Sequence, residues 1–333
     1  MFSTDTFFTV VYTILDDLYQ AHLASLRRHQ PGRPPRVSDS EVLTVVVLGH
    51  WYRLTERQLL RRARADWRAY FPDLPSQSAF NRRVRALSSV LSWLVPQLAA
   101  ELNAATAPYE VLDGTAVPVA RSCRGMRSRL FGPAADIGRG GVEKGWYYGV
   151  KLVLSVTPDG TITGFVAGPA STEERWLAEA LFAGRATPLS APWLGLPPHA
   201  VRQATSQPYV GPNGPVWPRL GVGRRARAYL GDLGYRGADW QAHWQAELGA
   251  RVLTKAAFPD DNRQAQWAHA SLRQIVETVN GWLKRQFGLE FPGAKTLWGL
   301  KTRVAGKLVA HNLGILLNRH FGRPTLALAT LAA

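Results

Sequence analysis

A single cysteine, Cys123, and two methionines are all the sulfur in this 333-residue chain. One thiol excludes an internal disulfide and any cysteine-rich zinc site, and it suits a reducing compartment. No apolar run reaches the roughly 18 residues that a membrane-spanning helix needs. Acidic residues are also scarce, with 24 Asp plus Glu against 40 Lys plus Arg and a formal charge of +16. Such an excess calls for a polyanionic partner, nucleic acid first. Lysine is rare within that excess: only seven of the 40 cations are Lys, so 33 are Arg, whose planar fork grips phosphate in a bidentate way. Residues 1–105 carry 13 cations and 9 acids, whereas 106–333 carry 27 and 15, which puts most of the positive field on the second part. The opening MFSTDTFFTVVYTILDDLY has no basic leader and is interrupted by Asp5, Asp16 and Asp17, so the expectation is a cytoplasmic protein.

What is present divides into two styles. Residues 4–29 carry apolar positions at helical spacing up to the breaker QPGRPP at 30–35. Ser38 with Glu41 has capping-box spacing ahead of an apolar run, and Thr55, Ser76 and Ser78 are further cap candidates. The first 105 residues therefore read as all-helical. From about 106 the pattern changes: YEVLDGTAVPVA is β-like, WYYGVKLVLSVT and GTITGFVAG read as a hairpin joined by PDG, and TEERWLAEALFAG returns to helix. Residues 183–225 are rich in Gly and Pro and read as an insertion too irregular for a regular element. RARAYLGDLGY and ARVLTKAAF then read as strands, with GADWQAHWQAELGA and 264–288 as helices. The expectation is an α/β fold, a mixed sheet flanked by helices and preceded by an all-helical region.

Two aspartates share one local setting: Asp113 ends the apolar YEVL, and Asp232 ends AYLG. An Asp at the C-terminal edge of a strand projects into the crevice where α/β proteins bind ligands, although Asp beside Gly is also a common turn signal. A third acid, Glu277, lies on the helix LRQIVETVNGWLKRQFG, where Arg273, Glu277, Asn280 and Lys284 form one polar stripe about 60° wide beside the apolar face. An i, i+4 Arg–Glu pair on a solvated helix would account for part of that stripe. Three carboxylates without Cys or His suit hard, oxygen-preferring cations, and two Mg2+ ions held in this way, with Mn2+ as a substitute, act on phosphodiesters.

With these motifs in view, the chain resembles the DDE transposases of bacterial insertion sequences. The resemblance rests on the order Asp113, Asp232, Glu277, on the R-x3-E-x6-K spacing from Arg273 to Lys284, and on VLDGTAVPVARS, WYYGVKLVL, YLGDLGYRG and AKTLWGLKTRVAGKLVAHNLGILLN. It departs from the family at Ala270, where Tyr is usual, and at Leu233, where a basic residue is frequent. The resemblance implies an RNase H-like catalytic domain over 106–333 after a helical DNA-binding region over 1–105. It also implies two metal ions on Asp113, Asp232 and Glu277, cleavage of transposon ends by water, and transfer of the freed 3′-hydroxyl into target DNA by a homodimer on double-stranded DNA. Arg273, Lys284, Lys151 and Lys255 become candidate phosphate contacts. Arg121, Arg124, Arg127 and Arg129 form a candidate backbone patch, because clustered cations repel unless an anion meets them.

Other features have plainer readings. Arg61, Arg62, Arg64, Arg68, Arg82, Arg83 and Arg85 could track phosphates or be a solvated helix face. Trp146, Tyr147 and Tyr148 could stack on a base or pack in a sheet. His50, His269 and His311 lack a second ligand at metal spacing and read as structural. Two rivals stand beside the transposase reading: a phosphatase with aspartates at strand ends, which leaves Glu277 without a role, and a catalytically inactive DNA-binding derivative of the same fold.

Overall fold

Four helices of the first third begin where a side-chain oxygen takes up a free backbone N–H. The computed structural model describes residues 2–24, 35–121, 130–140, 145–186, 209–211, 214–217, 226, 228–258 and 262–331. It places α1 (Thr4–His22) after Ser3, α2 (Asp39–Trp51) after Ser38, α3 (Glu56–Ala65) after Thr55 and α4 (Gln77–Ala86) after Ser76. Ser38 with Glu41, and Thr55 with Gln58, close reciprocal capping boxes. Helix α3 stops earlier than the periodicity of LTERQLLRRARADWRAYF suggests. Trp67, Tyr70 and Phe71 leave the helix to surround Phe8, with ring centroids at 5.0, 5.1 and 6.4 Å. Helix α5 (Ser88–Glu101) follows a break at Leu87 and is buried along most of its length.

The second part builds a mixed sheet of six strands. They are β1 (Glu110–Arg121), β2 (Asp136–Arg139), β3 (Trp146–Val156), β4 (Ile162–Pro169), β7 (Tyr229–Leu230) and β8 (Val252–Leu253). Antiparallel β1 lies along the whole of β3, while β2 and β4 follow one another on the other side of β3. Strands β7 and β8 add in parallel beyond β1, giving the order β4-β3-β1-β7-β8. The PDG hairpin forms as its sequence suggests. The register of β1 shifts between Pro118 and Ala120, where a proline offers no N–H to the ladder. Among the described residues RARAYLGDLGY and ARVLTKAAF contribute two paired residues each, fewer than their apolar runs suggest.

Part of the Gly/Pro-rich stretch is regular after all. Strands β5 (Tyr209–Gly211) and β6 (Gly214–Val216) form a small antiparallel hairpin, and Trp217 bridges to Ala167 of β4. The buried indole of Trp217 against Phe165, at 6.5 Å between ring centroids, anchors this hairpin to the sheet. Residues 187–208 and 218–225 of the same stretch lie outside the described residues.

Alternation along the strands buries both faces of the sheet. Val111, Leu152, Leu154 and Phe165 point into one core with α1, α2, α5, α8 (Arg263–Arg285) and α9 (Leu297–His320). Leu112, Val153 and Val166 point into a second core with α6 (Glu174–Ala186) and α7 (Ala238–Leu248). The first core runs from Phe7 to Leu331 and so draws on the helical region and the sheet region together. Helix α9 is buried along most of its length, as a central helix must be. Its Asn312 bonds the backbone of Ile162 through both N–H and C=O and also reaches the Val95 carbonyl, which ties α9, β4 and α5 together.

Candidate active site

The last paired residues of the parallel strands are Val111 opposite Leu230 and, next along, Leu230 opposite Leu253. Asp113, Asp232 and Lys255 each stand two residues further on, so register brings them to one level, just past the C-terminal ends of β7 and β8; Asp113, expected to end its strand, is instead the fourth residue of β1, which runs on to Arg121 because its pairing with β3 continues. Asp232 turns at once into a 3-10 turn (Leu233–Tyr235), and its Oδ1 accepts the Gly234 N–H at 2.8 Å. Asp113 has no such local partner. Helix α8 crosses β1 on the face to which Asp113 points, and Asn280 donates from Nδ2 to Asp113 Oδ2 at 2.7 Å. Two turns earlier on the same helix, Arg273 Nη2 lies 3.8 Å from Asp113 Oδ1.

A further acid enters from the opposite face. Glu174 is the first residue of α6, where the positive end of the helix favours a carboxylate. Its side chain reaches over the sheet through space that Gly114 leaves open. A methyl group on Gly114 would lie 2.5 Å from Glu174 Oε1, and one on Gly234 would lie 3.5 Å from Glu174 Oε2 and 2.8 Å from Asp232 Oδ1. Glu174 thus sits between the residues that follow the two aspartates. The dipeptide Asp113-Gly114 reads as a turn in sequence, but here the glycine is mid-strand and its missing side chain is what admits Glu174.

The electrostatics follow from this crowding. Burial, then the Glu174 charge, push the Asp113 carboxyl up to about 7; Arg273 opposes them, and Asp232 and Glu277 add smaller increments in the same direction. Burial also raises Glu174, with Asp232 adding to the shift, while Lys151, Arg273 and the nearby Tyr235 hydroxyl favour its ionised form. The Tyr235 hydroxyl, deep in the second core, is pushed well above its ordinary range by burial and by Glu174. It closes no hydrogen bond of ordinary geometry. Four buried polar atoms without a hydrogen-bond partner lie on residues of this neighbourhood: Thr115 Oγ1, Tyr235 Oη, Arg273 Nε and Asn280 Oδ1.

The sequence-derived candidates separate accordingly. Asp113, Asp232 and Arg273 come together, and Lys151 reaches the site beside Glu174. Glu277 is exposed on α8, the weakest of the three acids acting on Asp113. Lys284 turns to Glu290, its Nζ 3.7 Å from Oε1, and makes no contact with the aspartates. Lys255 is exposed at the register position given above. The side chain of Arg121, and Arg124, Arg127 and Arg129 entirely, lie outside the described residues. Of the N-terminal arginines, Arg62 pairs with Asp66 and covers the Tyr52 ring, Arg64 donates to the Pro75 carbonyl, and Arg83 binds Asp39 and the Val37 carbonyl. Arg61, Arg68 and Arg82 are exposed. Tyr147 and Tyr148 pack in the sheet, whereas Trp146 is 65% exposed.

The donor set is all hard oxygen, the negative charge at Asp113 is only partly offset, and neighbouring side chains keep buried polar atoms without a hydrogen-bond partner. Those properties fit a divalent cation. Among the described residues no three Asp, Glu, His or Cys side chains already converge tightly enough to enclose one. No helix among them is long and apolar enough to cross a membrane. Comparison with protein-family models, with curated proteins and with solved structures finds no match to this chain.

Proposed function

We propose that this chain is an insertion-sequence transposase of the DDE type, with an RNase H-like catalytic domain that cleaves transposon-end phosphodiesters and transfers the 3′-hydroxyl into target DNA. The observation that carries this reading is the register of Asp113 and Asp232 on adjacent parallel strands under a helix that presents Arg273 and Asn280 to Asp113. The sheet order supports it as well, since an antiparallel set leading into two parallel strands fits an RNase H-like core.

Asp113, Asp232 and Glu277 would hold Mg2+, or Mn2+ in its place, and the bound ions supply Lewis-acid activation of phosphodiester hydrolysis and strand transfer. The chain's own residues prepare the site. Asn280 fixes the rotation of the Asp113 carboxylate. Arg273 and Lys151 put positive charge on either side of the acids, where they neutralise and orient a phosphodiester that would otherwise be repelled. The net charge of +16 draws double-stranded DNA to the protein, which would work as a homodimer on paired ends.

The test uses purified protein and a supercoiled plasmid carrying the coding segment with its flanking genomic DNA. Mg2+-dependent cleavage at discrete positions leaving 3′-hydroxyl ends is expected. Binding without cleavage in either Mg2+ or Mn2+ would favour the inactive derivative, and absence of DNA binding would overturn the reading.

A further inference from the structure

We infer that Glu174 is a metal-holding carboxylate of this site, sharing an ion with Asp113 and Asp232, and that the glycine at 114 is there to admit it. This rests on the metal-dependent reading above and adds a residue to it.

Four observations lead to Glu174. Its two oxygens occupy the positions beside Gly114 and Gly234, one residue from Asp113 and two from Asp232. An alanine at 114 could not coexist with the present Glu174 geometry, because a contact of 2.5 Å is shorter than any real Cβ tolerates. Among the acids around Asp113, Glu174 acts most strongly and Glu277 least. Unpartnered polar groups flank the cluster on both sides of the sheet: the Tyr235 hydroxyl, fully buried beside Glu174, and Asn280 Oδ1, on a side chain whose amide already holds Asp113.

The contrast with Glu110 shows what a structural buried glutamate looks like in this chain. Glu110 lies three residues before Asp113 on the same strand. Its Oε2 accepts from Arg185 at 2.7 Å, from Thr163 at 2.7 Å and from Ser155, so its charge is fully met. Among the described residues Glu174 closes no ion pair, although Lys151 and Arg273 act on it from a distance. A half-buried carboxylate left next to two others raises the free energy of the metal-free protein, and a shared dication removes that cost.

Mn2+ binding to the full chain, measured by calorimetry without DNA, tests this apart from catalysis. Glu174→Gln is expected to weaken Mn2+ binding by roughly tenfold or more, as a lost ligand should. Gly114→Ala should weaken it comparably with every carboxylate still present, because the methyl displaces Glu174. Thermal melts without metal show whether each variant is folded, and Glu174→Gln should melt no lower than wild type, since it removes like-charge repulsion. If Asp113→Asn and Asp232→Asn lose Mn2+ while a folded Glu174→Gln binds as wild type does, Glu174 is not a ligand and the transposase reading stands. If wild type itself binds no Mn2+ and cuts no DNA with it, the underlying reading fails and this inference with it.

Discussion

Asn280 donates its side-chain amide to Asp113 across 167 positions of sequence, at 2.7 Å, from the one polar position that α8 turns into the protein at that level. That bond accounts for the polar stripe on an otherwise amphipathic helix. Arg273 and Asn280 face the aspartate, Glu277 stays at the rim, and Lys284 belongs to a separate pair with Glu290.

Asn280→Asp places a second carboxylate where the amide now donates. Two buried acids then face each other with one hydrogen bond lost, and stability should fall by about 1–3 kcal/mol in urea titrations at neutral pH. Adding Mn2+ should recover part of that loss if the site takes a cation. A variant as stable as wild type would mean that the bond contributes nothing.

Asp113→Asn should abolish DNA cleavage and leave DNA binding in place, since binding rests on cations spread over the surface. The same change relieves repulsion with Glu174 and Asp232, so the metal-free variant should be more stable than wild type at neutral pH, by on the order of 2 kcal/mol. Loss of folding would identify Asp113 as a structural residue. Asp232→Asn should also stop cleavage without loss of binding, and loss of both together would mark Asp232 as a turn residue.

Arg185→Met tests the opposite kind of buried acid. Removing the guanidinium leaves Glu110 without its cation in the interior, with Tyr229 also losing a 3.0 Å contact. The expected cost is about 3–5 kcal/mol, seen as a large drop in Tm or in soluble yield. A mild effect would show that Glu110 takes up a proton at little cost.

His311 sets an acid limit on stability. Burial holds its imidazole down to about 4, although the Gly160 carbonyl, 2.9 Å from Nε2, favours the protonated ring. The folded state therefore binds fewer protons than the unfolded chain between the ordinary pKa of about 6.5 and 4, and stability declines as pH falls through that window. The full decline from this group is about 3 kcal/mol. His311→Gln should flatten the Tm profile between pH 6.5 and 4 relative to wild type. His50, also buried and lowered, contributes to both profiles and drops out of the comparison. An unchanged slope would assign the acid sensitivity elsewhere.

Local patterns in the chain were enough to read the capping boxes at Ser38 and Thr55, the PDG hairpin, the helix over 264–288 and the aspartate that follows β7, but not Asp113, whose strand runs on to Arg121. Each of these rests on interactions within a few residues, which spacing and residue type report directly. The lengths of β7 and β8 were not legible, because an apolar run marks burial and not the number of partners the ladder supplies. Nor was Glu174: its sequence neighbours, Glu173 and Arg175, make it look like one more charge at a helix start, and Gly114 looks like a turn. Folding brings α6 over one face of the sheet and α8 over the other, so that acids from both faces meet where β7 ends beside β1. Such a meeting depends on the packing of segments far apart in the chain, and no local pattern encodes it.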